Sequence, residues 1–398
     1  MPQVESIDCK RIYLPSLEGV RGYAFLAVFL AHYSPFDLPI FHVRHWWTVL
    51  PLIVNIAWIA VPVFFVMSGY LIGGILYDTR DREGFFRVFY SRRILRVFPI
   101  YYITLLAVAS LDSIQGISLN GTFWFHLLYV QNLLPGYIGD TGAPPSNQIS
   151  HFWSLAVEEQ FYLVWPLVVW FFPNRRTLLR ATILLISLCF ITRLSVSWIH
   201  ISPARSYVAT PTRVDAILLG VLLALIRHEG IYKRLEPLAK YAALAGICVM
   251  MILVAKPALE FPFPSLGNAF EISLVNFIAA AIIVAALEEG SFLCRLCSLR
   301  WICWLGSLSY GLYVFHLVYR QWFMDSFLYH IAAYMPLSIA YFASASIAFC
   351  LTLFLALVSY RFIERPAMNL KKRIQYGAPR NSRLALEAAG AVFSRTDC

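Results

Sequence analysis

Arg21 and His32 stand eleven residues apart in SLEGVRGYAFLAVFLAHYSPF, an apolar stretch of membrane-spanning length that also carries Glu18. At 1.5 Å and 100° per residue, a helix places the two side chains about 16 Å apart along its axis and within about 20° of one face. Ionisable groups inside a membrane face a bundle interior or a wet cavity. The pair therefore predicts a functional pathway, with a cation at one depth and a titratable base at another. The plainer alternative is that Arg21 snorkels to the headgroups while His32 sits at the opposite interface.

Further groups of this kind recur along the chain. Glu158 and Glu159 lie in HFWSLAVEEQFYLVWP, Arg213 and Asp215 in PTRVDAILLG, and Tyr313 and His316 in SLSYGLYVFHLV. A carboxylate beside an imidazole holds one tautomer and raises basicity, which would let His32 take a proton from an alcohol. Adjacent glutamates point about 100° apart on a helix, so one of the two is expected to face His32. The other is as readily a partner for Arg213 or another buried cation. Arg92, Arg93 and Arg96 follow Phe85, Phe86, Phe89 and Tyr90, while Arg361 and Arg365 bracket Glu364. Clustered guanidinium groups bind phosphates bidentately, and interleaved aromatics can sandwich a planar base. Ordinary positive-inside charge and contact with anionic lipid are the alternative. Trp46, Trp47, Trp124 and Trp153 could stack on a sugar or form an interfacial belt.

Such residues need a scaffold, and composition says which. The 398 residues are 60% hydrophobic and 14% charged, with mean hydropathy +0.67; soluble proteins run at about 45–50% and about 25%. Apolar runs of about 18–25 residues suit helices crossing a hydrocarbon core of about 30 Å, and no period-two pattern suggests a barrel. The net charge of +10 resides mostly in short loops between apolar runs, where Lys and Arg set topology, so nucleic acid is rejected as a partner. Residues 1–15 carry no cleavable signal, and the first span is expected to insert as its own.

The expected architecture is an all-α polytopic membrane bundle of about ten transmembrane helices, both termini cytoplasmic. The spans are 17–36, 49–77, 94–111, 151–172, 178–199, 211–227, 238–255, 270–287, 301–319 and 336–360. Every strongly basic loop then falls on one side. Segment 123–134 is too short to cross and reads as re-entrant or interfacial, continuing into a Gly/Pro-rich loop. Residues 1–15 form a cytoplasmic segment, 16–370 the membrane domain and 371–398 a tail expected to be disordered. In the second span Gly69 and Gly73 have small-xxx-small spacing, which admits another helix closely. The eight cysteines suggest no disulfide framework. Cys294 and Cys297 have zinc-like spacing, with Cys303 close behind, but lack a second pair and a nearby His, so no metal is expected.

With that topology, His32, the two glutamates, Arg213 with Asp215, and His316 are expected at one level near the outer surface. Arg92, Arg93 and Arg96 are expected at the inner one, holding a phosphorylated donor.

The ordered motifs resemble the acyltransferase 3 family of membrane O-acyltransferases, of the O-antigen, nodulation-factor and macrolide type. They are the Arg21–His32 spacing, VFFVMSGYLI, FYSRRILRVFPIYY, FWSLAVEEQFYLVWP, RVDAILLG, LGSLSYGLYVFH and RFIERP, together covering about residues 16–370. The resemblance implies transfer of an acyl group, usually acetyl, from cytoplasmic acetyl-CoA to a hydroxyl of a glycan, glycolipid or related acceptor. It also implies residence in a bacterial inner membrane. The resemblance implies that Arg21 and His32 are required, and implicates the glutamates of the VEEQFY motif and the RRxxR segment. Some members carry a fused extracytoplasmic esterase-like domain; this chain ends at Cys398 soon after the last motif, which makes direct transfer to the acceptor the simpler scheme. In that scheme CoA rests on Arg92, Arg93 and Arg96 with its arm passing Arg21. His32 is the general base, and Arg213, Asp215, Tyr313, His316 and Trp153 surround the acceptor. A covalent relay through His, Ser68, Ser307 or Ser309 remains open. The alternative function is a proton-coupled transporter or flippase, with Arg21, His32, Glu158 and His316 along its path.

Overall fold

A computed structural model describes residues 14–33, 59–116, 122–134, 147–199, 201, 203–227, 229–255, 264–320, 323 and 327–378. Trp46 and Trp47, the Gly/Pro-rich loop 135–146 and the tail from 379 lie outside the described residues. Pro15 opens helix α1 (Pro15–His32) in its first turn, where a missing N–H costs nothing, and Glu18 in that turn complements the helix dipole. After α1 come α2 (Ala60–Thr79), α3 (Phe85–Ile114), the short α4 (Thr122–Leu127) and α5 (Trp153–Phe171). The chain continues through α6 (Arg175–Trp198), α7 (Pro203–Val208), α8 (Thr210–Arg213), α9 (Asp215–Ile226), α10 (Gly230–Ala255) and α11 (Pro264–Leu287). It closes with α12 (Phe292–Cys297), α13 (Arg300–Ser307), α14 (Ser309–Phe315), α15 (Leu328–Ala332), α16 (Leu337–Ser359), a π turn over Tyr360–Glu364, and α17 (Arg365–Lys372).

No strand occurs among the described residues, and the protein is an all-helical, multi-pass membrane protein. Among the described residues, five segments are long and apolar enough to cross a membrane: Ala60–Thr79, Phe85–Ile114, Arg175–Trp198, Ala269–Leu287 and Ile339–Lys372. Three sequence expectations change in detail. Helix α3 begins at Phe85 rather than near 94, after Gly84, whose φ of 74° is the left-handed region that glycine tolerates. Its 30 residues span about 45 Å, and Arg92, Arg93 and Arg96 lie in its first half. The span expected at 211–227 is interrupted at Val214, between α8 and α9, and that at 301–319 at Leu308, between α13 and α14. Both interruptions fall beside residues singled out above.

Close backbone approach holds the centre together. A Cβ added to Gly69 would collide with the Ile217 carbonyl, and one added to Gly306 with the Glu18 carbonyl. These contacts pack α2 on α9 and α13 on α1, as small-residue interfaces do where lipid supplies no hydrophobic driving force between helices. Gly69→Leu is therefore expected to destabilise by about 1–3 kcal/mol or more. A large loss of monodisperse protein on gel filtration in detergent checks it; a parental profile would mean that α9 can move away freely.

Segment 122–134 doubles back. Tyr129 adopts a left-handed φ of 54°, its ring stacks on Tyr101 at 4.1 Å, and a 3-10 turn follows over Gln131–Leu133. Gln160 of α5 donates to Tyr129 O at 2.6 Å and to Asn132 Oδ1 at 2.8 Å, and accepts from Thr210 Oγ1 at 2.6 Å. A polar clasp thus ties α5, α8 and the turn without exposing main-chain groups.

Candidate functional site

His32 ends α1, and two bonds to the main chain fix that end. Arg320 Nε donates to His32 O at 2.6 Å, and Tyr33 OH to His316 O at 2.7 Å. The Tyr33 ring stacks on Phe29 at 4.3 Å. The imidazole lies 2.9 Å by its Nδ1 from Val28 O. A carbonyl can only accept, so Nδ1 carries the proton and Nε2 is the basic nitrogen. Its ring lies 5.1 Å from that of His316, which follows α14 in a turn, and His316 lies 4.8 Å from His151, in the 3-10 turn Asn147–Phe152 that precedes α5. Tyr313 OH shares a 2.6 Å hydrogen bond with Ser154 Oγ, and both hydroxyls lie within reach of His151 O, so one donates to that carbonyl and the other to its neighbour.

The second polar group gathers near the N-terminal part of α1. Arg21 bonds Glu18 at 2.8 Å. Arg96 lies within electrostatic range of Arg21, Arg93, Glu364 and Glu18. Glu158 lies near Arg93 and Arg21 and accepts from Tyr162 OH at 3.2 Å, and Tyr162 OH also bonds Ser68 Oγ. Arg93 covers the Tyr162 ring at 4.3 Å and is the first charged neighbour of Glu159 too.

The glutamates therefore stand at the depth of the arginines, not of His32. The reason lies in α5: its first turn packs on the histidines, and Glu158, five residues beyond Trp153, is about 7–8 Å further along the axis. The orienting contact of His32 Nδ1 is the Val28 carbonyl, not a carboxylate. The three arginines of α3 also diverge. Arg92 donates to Ile374 O at 2.7 Å and lies over the Tyr376 ring at 5.3 Å, Arg93 turns to Tyr162, and Arg96 reaches Met368 Sδ at 3.9 Å. The segment that occupies Arg92 is itself fastened, since Gly377 N donates to Glu83 O at 3.1 Å and Glu83 N to Ala378 O at 3.2 Å.

Arg213 and Asp215 do not pair with each other. Asp215 bonds Arg193 of α6 at 2.7 Å, both almost fully buried. The Arg213 guanidinium lies over Tyr207 at 4.6 Å, Phe65 at 5.9 Å and Trp153 at 6.0 Å, an aromatic cage within which its Nε and one terminal nitrogen have no partner. Trp153 is thus an interior wall of that cage and not a sugar-stacking surface, whereas Trp124 is exposed. Sequence reasoning missed Arg193 and His151. Arg193, inside the apolar run of α6, was detectable as an intramembrane cation; His151 carried no signal beyond lying near Trp153.

Among the described residues no group of three or more His, Cys, Asp or Glu is arranged to hold a metal ion. Cys303 Sγ instead lies 3.2 Å from Pro15 O and 3.3 Å from Cys297 O.

Residues 14–361 match the family described as an acyltransferase domain. A putative peptidoglycan O-acetyltransferase, YrhL of Bacillus subtilis, is 30% identical over 325 residues, covering 76% of this chain and 48% of that protein. The O-acetyltransferase OatA of Staphylococcus aureus is 27% identical over 379 residues, covering 89% and 57%, and the peptidoglycan O-acetyltransferase OatA of Listeria monocytogenes is 27% identical over 340, covering 77% and 49%. The chain spans about half the length of these relatives. No solved structure matches.

Proposed function

Because the chain belongs to the acyltransferase-domain family, we propose that it transfers an acetyl group from a cytoplasmic acyl-CoA donor to a hydroxyl of a glycan, with His32 as general base. The relatives are named as O-acetyltransferases, two of them of peptidoglycan, which makes a peptidoglycan hydroxyl the first acceptor to try. The observation that carries the reading is the fixed tautomer of His32. Its Nδ1 is bonded to Val28 O, so Nε2 can accept the hydroxyl proton as oxygen attacks the thioester carbonyl; the C–S bond breaks and the thiolate leaves. About 16 Å along α1, Arg21, Arg93 and Arg96 with their glutamates form a charged group suited to the anionic part of the donor. Arg92 is held by the segment at Ile374–Ala378, so its service to a donor requires that segment to shift. Arg213, caged and with unpartnered nitrogens, is suited to a polar group of the acceptor. This arrangement fits a ten-span bundle with cytoplasmic termini in a bacterial inner membrane.

Purified protein in proteoliposomes, given labelled acetyl-CoA and peptidoglycan fragments, is expected to release CoA and label glycan hydroxyls. Absence of acceptor-dependent label would refute the reading. The buried charges Arg193, Arg213 and Asp215 also suit a transporter. Unmodified glycan crossing the membrane in the same vesicles would favour that instead.

A further inference from the structure

The imidazoles of His32, His316 and His151 form a row, with ring centroids 5.1 and 4.8 Å apart. Each ring has one nitrogen at a main-chain carbonyl. His32 Nδ1 meets Val28 O at 2.9 Å, His316 Nδ1 meets Tyr313 O at 2.6 Å, and His151 Nε2 meets Val314 O at 3.2 Å. Carbonyls only accept, so all three rings have committed their N–H to the backbone, and the remaining nitrogen of each is an acceptor. Two of these, His316 Nε2 and His151 Nδ1, are buried without a hydrogen-bond partner. Neutral acceptors cannot satisfy one another. Each such nitrogen costs about 1–3 kcal/mol, a cost that a positive charge arriving on an adjacent ring offsets in part.

The surroundings limit that charge to one. Arg320 lies in electrostatic range of His32 and His316, and His126 in range of His151. Among the described residues, Phe25, Phe152 and Tyr313 also pack against the row. Ser154 Oγ and the Tyr313 hydroxyl are directed to His151 O and to each other.

We propose that His151, acting through His316, is a positioning residue for His32, the two neutral rings stabilising the imidazolium that forms when the acceptor hydroxyl gives up its proton. The inference rests on His32 being the base. The hydroxyl O–H breaks as N–H forms on His32 Nε2, and the two polar rings, each with an acceptor nitrogen to spare, lower the cost of the positive charge beside them. The proton returns to the thiolate after the C–S bond has broken, so no other reactant is needed. Polar neighbours of this kind matter where His316 and His151 are almost wholly hidden from water, since a lone imidazolium is costly there.

His151→Gln tests this, because the glutamine amide can still donate to Val314 O while the basic nitrogen is lost. In proteoliposomes it is expected to lower kcat about 10- to 100-fold, leave KM for acetyl-CoA and glycan within about twofold, and melt as the parent does. His151→Phe should lose the same kcat and melt lower. Parental kcat in His151→Gln would overturn the proposal, as would a kcat loss that tracks a lowered melting temperature or a raised KM. Activity retained by His32→Ala in the same assay would overturn both this and the base assignment, which separates the two failures.

Discussion

His32→Ala is expected to lower acetyl transfer by about 10²–10⁴-fold, the usual contribution of a positioned general base, while the protein elutes and melts as the parent does. The two bonds that pin the end of α1 run from Arg320 to the main-chain oxygen of His32 and from Tyr33 to that of His316. Neither uses the imidazole. Truncating the ring removes the basic nitrogen and its contact with His316 but leaves the helix end tied. Label transfer to glycan, measured beside a melting curve, separates the roles. Unaltered transfer removes His32 from the chemistry, and a collapse in melting temperature reassigns it to folding.

Asp215→Ala should have the largest effect on stability. Arg193 and Asp215 are 0% and 3% exposed, and the guanidinium also donates to Thr212 O at 2.6 Å and to Ser273 Oγ at 2.8 Å. One cation thereby joins α6, α8, α9 and α11. Removing the carboxylate leaves a buried guanidinium without its counter-charge, which costs about 3–5 kcal/mol, or roughly 5–10 °C in melting temperature. Asp215 Oδ1 and Arg193 Nε have no partner, so the pair is imperfectly satisfied and its desolvation is incompletely offset. Arg193→Met with Asp215→Leu should therefore regain most of the loss. A single variant that melts as the parent would show that the ion pair does not hold these helices.

Much of the fold was legible because a bilayer leaves few choices. Apolar runs of spanning length must be helices, and α1, α5, α6 and α16 fall close to their expected limits. Family membership was legible for a related reason: motifs such as FWSLAVEEQFYLVWP concentrate the polar groups that an apolar helix does not otherwise contain. The breaks at Val214 and Leu308 were not legible. Neither position carries Pro or Gly, and each keeps helical dihedrals with its carbonyl bonded four residues on, a single-residue turn that hydropathy does not register.

The pairing of charges was the least legible part. Asp215 stands two residues from Arg213, yet its partner is Arg193 on another helix, and Arg213 goes to aromatic rings instead. Glu158 was expected beside His32 on a depth comparison that treated the spans as parallel rods of equal height. Where α5 begins relative to the end of α1 shifts it to Arg93.

By itself the sequence determined the membrane, the helical class, the acyltransferase family, and the placing of Arg21 and His32 on one stripe, because length, hydropathy and the 100° turn of a helix are local properties. Tertiary structure alone decided that three imidazoles from distant segments line up and that the glutamates stand with the arginines. Those facts depend on the relative height of packed helices, which glycine contacts and backbone carbonyls set and which no single segment encodes.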